Sequence, residues 1–140
     1  FIENILYSNN FDKVTIIKGD SRKTLLDLIK QKIKYDIIFV DGGHLYNIVN
    51  EDLRNVKELI KENGIIFGDD YELPYNKIDA KSLNHSINQN ISFKFDKKNN
   101  TAYHPGVTKA VYQNFGDLCE KNGLFSVQRI DGKFIDCFKL

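Results

Sequence analysis

Residues 35–71 read YDIIFVDGGHLYNIVNEDLRNVKELIKENGIIFGDDY, and this stretch decides the fold. Ile37-Ile38-Phe39-Val40 is a continuous apolar run within Tyr35 to Val40. It predicts a buried strand that ends at Asp41-Gly42-Gly43. Val49, Leu53, Val56 and Ile60 recur at helical spacing and mark one face of a helix, with Asn63-Gly64 as its C-cap pair. Ile65-Ile66-Phe67 forms another buried strand, ended by Gly68-Asp69-Asp70. Strand, helix, strand with short turns is the pattern of a parallel βαβ unit. The strands are apolar throughout rather than alternating, which predicts helices on both faces of the sheet.

Upstream, Phe1 to Asn9 reads as the tail of an amphipathic helix with Ile2, Ile5 and Leu6 on one face. Val14-Thr15-Ile16-Ile17 is β-branched and stops at Gly19, a further buried strand. Leu25, Leu28 and Ile29 follow at helical spacing, with Ser21 as N-cap. Downstream, from Glu72 to Asn100, the periodicity dissolves into Asn, Lys and Ser with short apolar pieces such as Ile91 to Phe95. The region of about 72–104 is therefore expected to be an irregular insertion or lid. Val107, Ala110, Val111, Phe115 and Leu118 make another amphipathic helix. Leu124 to Ile130 and Lys133 to Phe138 flank Asp131-Gly132, which predicts a C-terminal antiparallel hairpin.

A chain of 140 residues is one domain's worth. Its 41% hydrophobic and 28% charged residues describe a globular protein rather than a disordered one. A net charge of +1 supplies no field for nucleic acid or an anionic membrane, so neither is an expected partner. No apolar run approaches the ~20 residues that span a bilayer. Cys119 and Cys137 have no metal-like spacing and no disulfide framework, which fits a reducing cytoplasm. The chain begins at Phe1 and holds no Met, which suggests that residues preceding Phe1 belong to the intact protein.

In open parallel sheets ligands sit beyond the carboxyl ends of the strands. Each expected parallel strand here ends in acid: Asp20, then Asp41, then Asp69 and Asp70. Parallel geometry would bring Asp41, Asp69 and Asp70 to one rim. Such carboxylates repel unless a cation lies between them, and an oxygen-rich set suits Mg²⁺ or another hard divalent ion. The same acids also serve as caps or turn residues. His44, just past the Gly-Gly turn, belongs near that rim. A neutral imidazole there can take a hydroxyl proton, or it can bond locally at a helix start. Asp20 and Ser21 follow their strand in the same way. His104-Pro105-Gly106 reads as a turn before a helix and a hinge for the insertion. His85, in a polar segment, is expected to be solvated, and Lys97 and Lys98 to lie on an exposed turn.

The ordered set VTIIKGDS (14–21), YDIIFVDGGHLY (35–46), Asp52-Leu53, NGIIFGDDY (63–71) and PGVTKAV (105–111) resembles class I S-adenosylmethionine-dependent methyltransferases. It is most similar to the small-molecule O-methyltransferase branch that includes metal-dependent macrolide-sugar and aminocoumarin enzymes. The resemblance implies a Rossmann-like, doubly wound, mostly parallel α/β sheet. It implies S-adenosylmethionine as cofactor, a small-molecule hydroxyl as acceptor and help from a divalent cation. Asp41, Asp69 and Asp70 would be the metal ligands, and His44 the base. Asp41 and His44 would be catalytic residues that also border the cofactor, while Asp20 and Ser21 would meet its adenine. The family's first two strands and its Gly-rich loop have no counterpart in this sequence. A chain lacking them is expected to bind cofactor poorly and to leave a sheet edge open to a second copy.

The rival to an enzyme is a non-catalytic methyltransferase-like binding or structural module. An E-x-G-x-x-x-G-like stretch upstream of Phe1 would decide for the enzyme. A receiver domain is disfavoured because its acid pair follows the first strand, whereas here the pair follows the single Asp. A phosphohydrolase is disfavoured because no strand ends in D-x-D.

Overall fold

A computed structural model describes residues 2–7 and 10–139. The βαβ unit legible in residues 35–71 is present. Strand β1 (Tyr35–Val40), helix α3 (Tyr46–Leu59) and strand β2 (Ile60–Gly68) follow helices α1 (Ile2–Tyr7) and α2 (Ser21–Lys30). β1 and β2 are parallel, with Val40 opposite Gly68, so both chains leave the sheet at the same level. After helices α4 (Ala80–Asn88) and α5 (Pro105–Phe115), strands β5 (Phe125–Ile130) and β6 (Lys133–Asp136) complete a sheet of order β1-β2-β5-β6. The β5/β6 hairpin turns at Asp131 (φ 50°) and Gly132 (φ 73°), the left-handed pair that a two-residue turn demands.

The sheet is mixed and not mostly parallel. β5 runs antiparallel to both β2 and β6, so one ladder of three is parallel. Nor is it doubly wound among the described residues. Ile38, Ile66, Val127 and Phe125 face the core, which α3 closes with Val49, Leu53 and Val56 and α5 with Val107, Ala110 and Val111. On the opposite face Ile37 and Phe39 are 63% and 49% exposed, and Phe39 leans on Phe67 with ring centroids 4.8 Å apart. Within the core, Ile66 is fully buried. Ile66→Val removes one methyl group and is expected to cost about 1 kcal/mol, read as a shift of the urea midpoint at unchanged slope.

Several local expectations are corrected. Val14 to Ile17 is not a strand: it joins no ladder, and Ile16 and Ile17 are 42% and 52% exposed. Its β-branched residues favour an extended chain, but a strand needs a neighbour to take its backbone donors and acceptors. The N-cap of α2 is Asp20, whose carboxylate accepts from the Arg22 N–H; Ser21 is the first helical residue. α3 stops at Leu59, where the Ile60 N–H still bonds Val56 O. Asn63-Gly64 lies inside β2, where the register slips between Tyr35 and Ile37 and Asn63 takes φ 63°. A left-handed Asn serves a bulge as readily as a helix end, which is why the signal misled. α5 ends at Phe115 before Gly116 (φ 78°), so Leu118 reaches the core from a loop. The helix expected over 1–9 appears as α1. Its termini at Phe1, Ser8 and Asn9, and the side chains of Ile2, Ile5 and Leu6, lie outside the described residues.

The segment of about 72–104 is ordered and not irregular. It holds a 3₁₀ turn (Tyr75–Lys77), α4, and a hairpin of β3 (Lys94–Asp96) with β4 (Thr101–Tyr103). Leu73, Leu83 and Tyr103 form a small core of their own, too sparse to show as periodicity. Tyr75 stacks flat on Tyr112 of α5 (centroids 3.7 Å, 7° between planes), and Thr108 Oγ1 of α5 donates to Leu73 O at 2.8 Å. His85 is exposed, and Lys97 and Lys98 sit in the exposed β3–β4 turn, as expected.

Candidate active site at the strand ends

The shared level of β1 and β2 builds the site. The Asp69 N–H donates to Val40 O at 3.2 Å, so Asp41 and Asp69 leave adjacent strand ends together. Asp41, His44, Asp69 and Asp70 line one cavity. Val107 and Phe125 lie beneath them. Asp69 Oδ1 accepts from the Asp70 N–H at 2.9 Å, and the Tyr71 N–H is tied to Gly123 O at 2.7 Å. Asp70 is held in the left-handed region (φ 64°), a conformation that costs a non-glycine residue free energy and turns its carboxylate inward from the strand.

Asp70 meets two imidazoles. Its Oδ2 lies 2.9 Å from His44 Nε2, and its Oδ1 lies 3.5 Å from His104 Nδ1. The His44 and His104 rings are 4.4 Å apart. Glu72 grips His104 twice, Oε1 at 2.9 Å from Nδ1 and Oε2 accepting the backbone N–H at 3.3 Å. Phe93 packs on the same ring at 5.0 Å. The approach depends on Gly106. A Cβ there would fall 2.5 Å from Tyr46 N and closer still to His44 O, so α5 starts directly against the turn that carries His44.

The three acids expected to share a hard cation line the cavity together. Among the described residues, however, the one group whose ligand atoms lie within 4.8 Å of one another is His44, Asp70 and His104. Asp41 and Asp69 are outside that group. Asp20 is engaged elsewhere. Both its oxygens take the Arg22 guanidinium (Nε at 2.9 Å, NH2 at 2.6 Å), which pulls its pKa down to about 2. Ser21 Oγ donates to Asp52 Oδ2 at 3.1 Å.

Asp52, Glu72 and His104 are the parts the sequence reading did not assign to the site. Asp52 carried a signal: it falls on the apolar stripe of α3, between Val49 and Val56, where an acid needs a reason. It is buried, and its Oδ1 lacks a hydrogen-bond partner. With Ser21, Asp41 and Gly42 it borders a groove of about 240 Å³ whose apolar wall includes Leu25 and Ile38. Burial holds the Asp52 carboxyl above the ordinary carboxylate range, against the hydrogen bond from Ser21. An acid raised on folding binds its proton more readily in the native chain than in the unfolded one. Its contribution to stability therefore falls as pH rises from the unfolded value through the native one. Asp52→Asn is expected to flatten the melting temperature against pH across that window and to raise it at neutral pH; thermal unfolding over a pH series checks this.

In an α/β domain the place where parallel strands end, here lined by acids and a histidine, is the usual position of a ligand site. The family model described as "Methyltransferase domain" matches residues 2–71, half of the chain, and the protein belongs to that family. The match takes in Asp41, His44, Asp69 and Asp70 and stops before Glu72 and His104. No curated protein and no solved structure matches the chain. No helix among the described residues is long and apolar enough to cross a membrane.

Proposed function

We propose that the protein is an S-adenosylmethionine-dependent methyltransferase that acts on a hydroxyl group of a small molecule. One observation carries this: the strand-end cavity of Asp41, His44, Asp69 and Asp70 adjoins the groove of Ser21, Asp41 and Asp52. The unpartnered Asp52 Oδ1 gives that groove a buried acceptor, and Leu25 and Ile38 give it an apolar wall, a donor set suited to an aminated heterocycle. The residues that would hold the cofactor are thus Ser21, Asp41 and Asp52, with Asp20 joining them on release of Arg22. When bound, the cofactor supplies a methyl group already activated on a sulfonium.

The chain's own part is alignment and proton removal. His44 and Asp41 are the groups on the rim placed to take the hydroxyl proton, and Asp70 fixes the His44 ring through Nε2. The helix and hairpin of residues 72–104 wall the acceptor side and select the substrate.

The test uses the protein at the full length its gene encodes. It is incubated with S-adenosylmethionine carrying an isotopic methyl label and a panel of hydroxylated small molecules. Label transferred to an acceptor oxygen supports the reading. Calorimetry that shows cofactor binding without transfer to any acceptor identifies the non-catalytic module, and no cofactor binding overturns the reading.

A further inference from the structure

We infer that His44, Asp70 and His104 form a binding site for a first-row transition-metal dication such as Zn²⁺, and not for Mg²⁺. Their ligand atoms lie within 4.8 Å of one another, and Asp70 is 2.9 and 3.5 Å from the two imidazoles, so small side-chain movements bring all three to the ~3.4 Å spacing of ligands around one tetrahedral ion. The donor set chooses the ion. Two imidazoles and one carboxylate suit Zn²⁺, Fe²⁺ or Co²⁺, whereas Mg²⁺ takes oxygen ligands in an octahedron. The set of Asp41, Asp69 and Asp70 would favour the opposite ion, and it is not the set that converges.

The surroundings are those of a ligand set. Glu72 holds His104 through the backbone N–H and through Nδ1, the ring nitrogen that also faces Asp70; a cation on Nδ1 would take over that second contact, while the backbone bond would keep Glu72 beside the histidine. Phe93 limits rotation of the same ring. His104 forms the nearly buried inner wall, while His44 is open enough to admit an ion from solvent. Three protein ligands leave a coordination position free, as at metal sites that act on a substrate. With a cation in place His44 is a ligand, and Asp41 is left as the proton acceptor on the rim.

The experiment is calorimetric titration of the chelator-treated full-length protein with Zn²⁺ and, separately, Mg²⁺. One equivalent of Zn²⁺ is expected, at least about 100-fold tighter than Mg²⁺. His104→Gln should weaken Zn²⁺ by about 100-fold or more, while Asp69→Asn leaves it within about 3-fold. Visible absorption of the Co²⁺ form, which reports nitrogen ligation, should change in His104→Gln and not in Asp69→Asn. Circular dichroism confirms that each variant is folded. Failure to bind Zn²⁺, Zn²⁺ binding indifferent to His104→Gln, or a Mg²⁺ site lost in Asp69→Asn each overturns the inference. Metal binding is read without cofactor or acceptor, so its outcome is separate from that of the methyl-transfer assay.

Discussion

Replacing Gly106 by alanine is expected to cost about 3 kcal/mol of stability and to drive His104 away from His44. The added Cβ would meet Tyr46 N at 2.5 Å and the His44 carbonyl more closely. Both are backbone atoms, so no side-chain rotation relieves the clash. Either the 44–46 turn or the start of α5 must shift, and each carries one of the two imidazoles. Urea denaturation measures the loss of stability, and the titration curves of the two histidines by NMR report the separation. A variant as stable as the parent, with both curves unchanged, would show that the two segments are not in the close contact described.

The second large effect is on activity. His44→Ala is expected to lower methyl transfer by about 10²-fold or more, whether His44 takes the hydroxyl proton itself or, with a cation bound, helps hold that ion while Asp41 takes the proton. His44 lies at the mouth of the strand-end cavity with its ring nitrogen on Asp70, so its removal also frees a carboxylate against Asp41 and Asp69. His85→Ala, on the exposed side of α4, is the control and should leave the rate unchanged. Steady-state kinetics on one identified acceptor distinguishes the two. Equal rates for His44→Ala and the parent would remove this rim from the reaction.

What could be read from the residues was whatever depends on a local period or a strand end. The runs Ile37 to Val40 and Ile65 to Phe67 gave β1 and β2 and their parallel pairing, and with it the meeting of Asp41, His44, Asp69 and Asp70 around one cavity. Asp131-Gly132 gave the hairpin because few residue pairs tolerate two positive φ angles. What was missed depends on contacts distant in sequence. Val14 to Ile17 has strand composition, but composition cannot supply a partner. The 72–104 segment is stabilised by three buried residues, Leu73, Leu83 and Tyr103, that lie far apart along the chain. His104 reads as a turn residue until α5 is packed against the 44–46 loop through Gly106. Asp52 was the exception. Its place on an apolar helix face was visible in the sequence, and its lone oxygen becomes meaningful once Ser21 and Gly42 are seen beside it.

The flat stack of Tyr75 on Tyr112 fastens the 72–104 segment to the helix that begins beside His104. That segment therefore cannot swing independently: lifting it strains the same helix that sets one imidazole, so its position and the geometry of the histidine pair are mechanically linked. The chain contains no tryptophan, and its tyrosine fluorescence is unmasked. Rings 3.7 Å apart should quench one another while docked, and a rise in emission would time the moment at which the segment leaves the helix.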